Sequence, residues 1–592
     1  MPMQQYFLMG LLVVVLIFFI WGRWRYDVVA FSALVVAMLA GVIDPGRAFS
    51  GFGHPATVTV AMVLIIGRGL QNSGAVNLIA RHLLPPLRST EGHIGILSSV
   101  AGALSAVMNN VGALALLMPA ALQSAARAKR SAAVILMPLS FGSILGGLVT
   151  LIGTPPNIII ASFRGDVSGT PFSMFDFAPV GGSIAVAGII FIAAFGWRLI
   201  PKQKKKQITA MERFDIENYV TEVRPAKDSP SIGKSIAEID EIASGHDAAV
   251  LALIRRGKRL RGRQTKLKGG DHLIIEVGPD RISELNSALH LMPAGQAKSP
   301  PTRFLEAADT SLAEVVVAPG SRPIGLTGEQ LRLRRRFSLN LLGVSRQGNS
   351  FPGRLKAFRF RLGDVLLLEG EPEHISNAVL ALGCLPLAER GLLPIRSQLA
   401  WVSILVFAGA VVGASLGLLP LTAALALAAG LMVLLNIVPP RDIYDSVDWP
   451  VIVLLGSMIP IGQAMETTGA THLIATVLLM LAGDFPPVLA LTLLLVLTMT
   501  LSDVMNNAAT AVLMAPISIN MAGQLGVNSD PFLMAVAIGA SCAFLTPIGH
   551  QNNALILGPG GYRFGDFWRL GLPLEVLIVA VAVPMLTWIW PF

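Results

Sequence analysis

The sequence predicts a polytopic α-helical membrane protein, an inverted repeat of five spans plus one re-entrant hairpin per half, with a cytoplasmic α+β insert between the halves. Three observations predict it. The 592 residues are 53% hydrophobic and 14% charged, and apolar runs of span length recur along the chain. Composition turns abruptly polar at Pro201 and apolar again near Pro394. One phrase occurs twice: "LSAVMNNVGALALLMP" at 104–119 and "LSDVMNNAATAVLMAP" at 501–516.

Taken in order, residues 1–201 form membrane half one. Spans are expected at 6–21, 27–44 and 55–70, a hairpin at 93–124, an interrupted helix at 132–163 and a last span at 178–199. The N-terminal "MPMQQYF" lacks the basic start of a cleavable signal, so the first run is read as a retained span. Two α+β domains follow at 209–292 and 303–388. Membrane half two, 396–592, repeats the order: spans at 400–417, 421–438 and 449–464, a hairpin at 486–521, an interrupted helix at 531–557 and a span at 573–590.

Basic residues set the expected sidedness. With the N-terminus outside, Arg23, Arg25, Arg81, Arg88, Arg127, Lys129, Arg130 and the run Lys202, Lys204, Lys205 and Lys206 all fall inside. Arg47 and Arg164 stay outside, where Arg164 and Asp166 are read as a surface pair. Arg441 and "GGYRFGDFWR" fall inside, while 465–485 and 521–530, read as outer loops, contain no Lys or Arg. Both termini are then periplasmic in a bacterial inner membrane, and the insert is cytoplasmic. Five crossings per half turn the second copy upside down, so the hairpin tips meet near mid-depth. The net charge of +9 follows this cytoplasmic bias and speaks against a nucleic-acid partner. Cys384 and Cys542 have neither disulfide-framework nor metal-ligand spacing.

The paired phrases place Asn109-Asn110 and Asn506-Asn507 in hydrocarbon, where each carboxamide needs partners. A second pair follows the hairpins: "TLIGTPPNIII" at 150–160 aligns with "TPIGHQNNALI" at 546–556. Thr150 meets Thr546, Gly153 meets Gly549 and Asn157 meets Asn553. Gly and Pro break these helices and free carbonyls for a dehydrated cation, while helix N-termini and amides suit an anion. Asp503, with Ala106 as its counterpart, reads either as a proton or cation group or as a helix cap. His550 reads either as a substrate contact or pH sensor, or as an ordinary polar loop residue.

These tips, "LIGTPPN" and "LTPIGHQNNALILGPGGYRFGDFWRLGLP" resemble the divalent anion:sodium symporter family of the ion transporter superfamily, in its sulfate-permease-like branch. The resemblance implies a homodimer that carries a small anion with sodium by an elevator motion; it implies no enzyme. Members commonly bear Ser-Asn-Thr at each tip, which here becomes Asn109-Asn110-Val111 and Asn506-Asn507-Ala508. Substrate contacts are accordingly expected from Asn110, Val111, Asn507, Ala508, Thr546 and Pro547. Sodium is expected at Ser105, Asn109, Asn110, Gly153 and Asn157, and at Ser502, Asn506, Asn507, Gly549 and Asn553. The loss of tip hydroxyls favours sulfate, a sulfonate or another oxyanion at least as much as di- or tricarboxylate. Proton coupling, a sodium/proton or arsenite exchanger and a ligand-regulated channel are the alternatives; no TVGYG-like filter supports the last.

The insert repeats itself more weakly, 219–285 against 312–378, each reading as strand, Gly turn, helix, strand hairpin, a strand after Gly-Asp, and helix. This resembles tandem TrkA-C domains, which implies either a dimerisation scaffold or regulation through a small ligand. No GxGxxG fingerprint opens a strand–helix unit, so no nucleotide cofactor is expected.

Overall fold

The computed structural model describes residues 2–21, 23–74, 89–128, 130–201, 220–226, 228–245, 248–255, 258–260, 264–276, 282–293, 311–346, 349–351, 355, 358–387, 397–482 and 486–592. Arg81, Arg88, Lys129, Lys202, Lys204, Lys205 and Lys206, on which the expected sidedness leans, lie outside them. The chain forms two compact units. One comprises Met1–Lys202, Gly391–Ala554 and Phe564–Phe592; the other comprises Gln203–Arg390 and Leu555–Arg563.

The first unit is helical. Its N-terminal part runs α1 (Pro2–Trp21), α2 (Tyr26–Leu39), α3 (Pro55–Asn72), α4 (Thr90–Ser105), α5 (Asn110–Arg127), α6 (Ala132–Gly147), α7 (Pro155–Ser168) and α8 (Ala178–Ala194). Among the described residues, four helices are long and apolar enough to cross a membrane: Met3–Trp21, Trp449–Thr468, Asn507–Leu525 and Phe564–Ile589. Other apolar helices are shorter because the chain interrupts them. The expected hairpin 93–124 is α4 and α5 with a turn at 106–109, and the expected helix 132–163 is α6 and α7 with a break at 148–154. Span 27–44 is cut short at Leu39, where Gly41 turns the chain at φ 69°.

Backbone-to-backbone packing positions the hairpin. Ser98 and Gly102 of α4 face Gly142 and Gly146 of α6, the small-residue spacing that lets spanning helices touch. A Cβ on Gly146 would run into the Gly102 carbonyl oxygen.

The insert's helices are α9 (Ile236–Gly245), α10 (Ile282–Leu289), α11 (Gly328–Leu331), α12 (Leu333–Phe337) and α13 (Pro372–Leu382). The chain continues with α14 (Ser397–Ser415), α15 (Leu421–Leu434), α16 (Pro440–Ser446), α17 (Trp449–Thr468), α18 (Ala470–Ala482), α19 (Pro487–Ser502), α20 (Asn507–Leu525), α21 (Asp530–Ser541), α22 (Gln551–Gly560) and α23 (Phe567–Ile589). Helix α18 corrects the reading of 465–485 as a loop. Its side chains are anchored on α20: Asn520 Nδ2 donates to Thr471 Oγ1 at 2.9 Å, and Gln524 Nε2 to the His472 carbonyl at 3.0 Å. The pairing of Arg164 with Asp166 is also corrected. Arg164 is mostly buried and grips Asp530 at the head of α21 with two bonds of 2.8 and 2.9 Å, while Asp166 faces His54 at 3.4 Å.

The second unit holds two five-stranded antiparallel sheets. In one the order is β3 (Lys258–Leu260), β2 (Ala249–Arg255), β4 (His272–Glu276), β1 (Val220–Pro225), β5 (Leu291–Pro293). In the other it is β10 (Leu385–Pro386), β6 (Ser311–Val316), β9 (Val365–Gly370), β7 (Asn340–Arg346), β8 (Asn349–Phe351). Each sheet has its own apolar core, centred on Leu253, Leu273 and Ile275 in one and on Val344, Leu366 and Leu368 in the other. The duplication is detailed. Arg255 clasps Asp271 with two bonds of 2.7 Å, and Lys268 N–H donates to the same carboxylate; Arg346, Asp364 and Arg361 N–H repeat the arrangement. Burial pushes the Asp271 carboxyl up, but Arg255 and the Lys268 N–H outweigh it and hold the group below its ordinary value.

Two expectations follow. Gly146→Ala should lower the thermal unfolding temperature of the purified protein, by an amount equivalent to about 1–3 kcal/mol of overpacking. Asp364→Ala, which strands a half-buried guanidinium, should cost roughly 3 kcal/mol and speed hydrogen exchange in β7 and β9 while leaving β2 and β4 protected.

Candidate functional site

Each break leaves main-chain carbonyls without helical partners, and the same two side-chain types answer them in both halves. Asn157 Nδ2 donates to the carbonyls of Gly147 (3.3 Å) and Thr150 (2.8 Å); Asn553 Nδ2 donates to those of Ala543 (3.0 Å) and Thr546 (3.2 Å). Thr150 Oγ1 donates to the Ala106 carbonyl at the end of α4, and Thr546 Oγ1 to the Asp503 carbonyl at the end of α19, both at 2.5 Å. One carboxamide thus holds each break in shape, and one hydroxyl straps it to its own hairpin. Gly153 and Gly549 are needed for that closeness: a Cβ on the first would lie 2.5 Å from the Gly147 carbonyl oxygen, and on the second it would collide with that of Ser502.

The tips share a design as well. Asn109 and Asn506 cap α5 and α20, their Oδ1 atoms accepting from Val111 N–H (3.1 Å) and Ala508 N–H (2.9 Å). Their carboxamide oxygens, expected on sodium, already have donors in the chain. Asn507 Oδ1 also accepts from Ala508 N–H, at 2.9 Å. The N-termini of α5 and α20 leave further N–H groups and the positive ends of two helix dipoles at the tips, beside Val111 and Ala508.

Asn110 is where the halves meet. It is buried at 2% exposure, takes Ser105 Oγ on its own Oδ1, and receives Ser143 Oγ on its carbonyl at 2.8 Å. From the other half, His550 Nε2 lies 3.2 Å from its Nδ2, and Asn552 Nδ2 donates to its carbonyl at 3.3 Å. Ser140 Oγ donates to Asn553 Oδ1 at 2.9 Å, and the rings of Phe141 and Phe544 pack edge to face at 4.8 Å. The second break therefore sits on the first hairpin tip. Ser502 does not mirror Ser105: its hydroxyl donates to the Ala540 carbonyl. Thr546, expected on substrate, spends its hydroxyl on the Asp503 carbonyl and accepts from Ile548 and Gly549 N–H at 3.1 and 3.2 Å; Pro547 is buried beside it.

Several buried oxygens in these segments have no hydrogen-bond partner: Thr154 Oγ1 and Asn157 Oδ1 in the first, Ser541 Oγ, Asn552 Oδ1 and Asp503 Oδ2 in the second. The asymmetry has a cause at Asn157. Val536 stands as far before Thr546 as Ser140 stands before Thr150, so the hydroxyl that serves Asn553 has an aliphatic counterpart. The hydroxyl and carboxamide oxygens among them are neutral, hard ligands that suit an alkali cation rather than a soft metal. Among the described residues no group of three or more His, Cys, Asp or Glu is placed to hold a metal ion.

Asn552, Ser140, Ser143 and Glu575 were missed by sequence reasoning. Asn552 adjoins the recognised Asn553, and Glu575 is an acid inside the expected span 573–590, itself a signal. The serines give no such signal, because their role depends on what faces them.

A family model described as a citrate transporter matches residues 16–539. An uncharacterized transporter of Synechocystis is 31% identical over 98% of this chain and 96% of its own. The uncharacterized transporter YfbS of Escherichia coli is 30% identical over 99% of both chains. Sodium/sulfate cotransporter 1 of Chlamydomonas reinhardtii is 25% identical over 57% of this chain and 40% of its own.

Thr546→Val keeps side-chain volume but removes one donor and one acceptor. It should destabilise the protein by about 1–3 kcal/mol and accelerate hydrogen exchange at 545–550, read by mass spectrometry.

Proposed function

The chain belongs to the citrate transporter family, and from that premise we propose that it is a sodium-coupled secondary carrier of a small oxyanion, sulfate foremost. One observation carries the reading. Two helix N-termini, at Asn110 and Asn507, stand beside two broken segments whose buried oxygens lack donors. The N-termini favour an anion, and the oxygens favour a cation that loses its water. Asn157 Oδ1 and Thr154 Oγ1 would serve sodium at the first break, and Asn552 Oδ1 and Ser541 Oγ at the second.

The tips carry no Arg or Lys, so the anion would be held by main-chain N–H groups and carboxamides. That chemistry suits a compact tetrahedral oxyanion that accepts several hydrogen bonds at once. The similarity to sodium/sulfate cotransporters of Chlamydomonas reinhardtii supports the same choice. A homodimer with an elevator motion in a bacterial inner membrane belongs to this reading, as do TrkA-C lobes that pair or bind a small regulatory ligand. The second reading, proton coupling, draws on Asp503, whose Oδ2 is buried without a donor.

The test is uptake of labelled sulfate into proteoliposomes, with and without sodium at fixed pH, and with sulfonates and di- and tricarboxylates as competitors. Saturable uptake that needs sodium is expected, and Asn110→Ala should abolish it while the protein still folds. Uptake indifferent to sodium would favour proton coupling, and failure to saturate would favour a channel.

A further inference from the structure

Helix α7 leaves the first break and α21 enters the second, and the two pack against each other. Arg164 lies seven residues beyond Asn157, and Asp530 lies eleven before Ser541. At a rise of about 1.5 Å per residue, the pair stands roughly 10 Å along α7 and 16 Å along α21 from the oxygens proposed for sodium. There Arg164 Nε donates to Asp530 Oδ1 at 2.8 Å and Nη2 to Oδ2 at 2.9 Å. The remaining Nη1 donates to the Thr170 carbonyl at 3.1 Å, and the guanidinium lies 4.5 Å over the Phe172 ring. Phe172 is buried and packs edge to face on Phe177 and Trp590. On the other side, Asp530 N–H donates to Asn528 Oδ1, and Asn528 Nδ2 to the Pro591 carbonyl.

A largely buried ion pair adds little stability over well-packed apolar residues, because desolvation offsets the attraction. What this one adds is register. A planar fork met by a carboxylate, a carbonyl and a ring tolerates no slip along the helix. Register matters here because α7 and α21 belong to different halves of the repeat. At the breaks the halves already meet, where Ser140 Oγ donates to Asn553 Oδ1 and Phe141 packs on Phe544. With α7 and α21 also clasped away from the breaks, the two breaks are left one spacing. The repeat shows that the clasp was added to one end of the design. At the offsets that Arg164 and Asp530 keep from Thr150 and Thr546, the opposite copies have Gly560 and Val134, which can form no ion pair.

We propose that Arg164 and Asp530 are positioning residues that set α7 against α21, so that the oxygens of both breaks are held at the spacing ion binding needs. Neither side chain touches an ion; both act through the helices they clasp. Coupling of this kind is reciprocal: a loosened clasp weakens binding at the breaks, and binding at the breaks tightens the clasp. The identity of the ion rests on the sodium reading above, whereas the clasp's hold on the breaks does not.

The test has two arms on full-length protein. In the first, hydrogen exchange of wild type is followed by mass spectrometry in sodium and in choline at equal ionic strength. Sodium should slow exchange at 148–154 and 541–550, and also at 164–172 and 528–533, which hold no proposed ligand. Protection of the breaks without the clasp would overturn the inference. If sodium protects neither, the sodium reading fails, and Asp530→Asn decides the positioning role. Exchange in that variant should rise at both breaks, and a rise confined to 164–172 and 528–533 would overturn the proposal. The second arm is sulfate uptake against sodium concentration. Arg164→Lys keeps the charge but loses the fork, and should raise the sodium needed for half-maximal uptake about fivefold or more, with a smaller change in maximal rate per folded protein. Unchanged sodium dependence, with only the amount of folded protein reduced, would mark a merely structural pair and sink the proposal.

Discussion

The interior of the helical unit depends on one recurrent interaction: a carboxamide nitrogen that serves two stranded carbonyls. Without Asn157 and Asn553, the ends of α6 and α21 would present unpaired C=O groups in a region that holds almost no water. Each break exists only because such a donor stands one turn into the following helix. Both threonine straps and both crowded glycines follow from that placement, since the break must lie flat against its hairpin for the bonds to form. A held-open break also exposes oxygen atoms that a continuous helix would consume.

The two copies of this device have diverged in ways that give them different work. Asn110 is enclosed by serines and by the opposing His550 and Asn552, whereas Asn507 turns its oxygen back onto the Ala508 N–H. Ala106 in the first copy is Asp503 in the second, and the consecutive amides of Phe544 and Leu545 donate to Glu575 and Asp503. The insert shows the opposite tendency. Its Arg–Asp clasps repeat almost atom for atom, which suits elements that stabilise a fold rather than discriminate a ligand.

Much of this was legible in the sequence because a repeat displays its own constraints. The shared "VMNN" tips, the Thr, Gly and Asn at matched offsets in the breaks, and the Gly-Asp turns of the insert are all local patterns with local causes. Asn109 and Asn506 were found by the same pattern, yet their side chains act as helix caps; a sequence motif cannot say which of two adjacent carboxamides faces outward. Helix α18 stayed hidden because a stretch free of Lys and Arg reads as a loop until Asn520 and Gln524 are seen to anchor it.

By itself the sequence determined the division into two apolar halves and an insert, the hairpins, the breaks and the residues that hold them. These follow from hydropathy, helix-breaking residues and the demand that every buried polar group be paired. Only the tertiary structure decided that the second break rests on the first hairpin, that Arg164 reaches Asp530, and that consecutive amides of the second break reach Glu575 and Asp503. Such contacts join residues hundreds of positions apart, and their energy comes from burial and geometry, which no local pattern encodes.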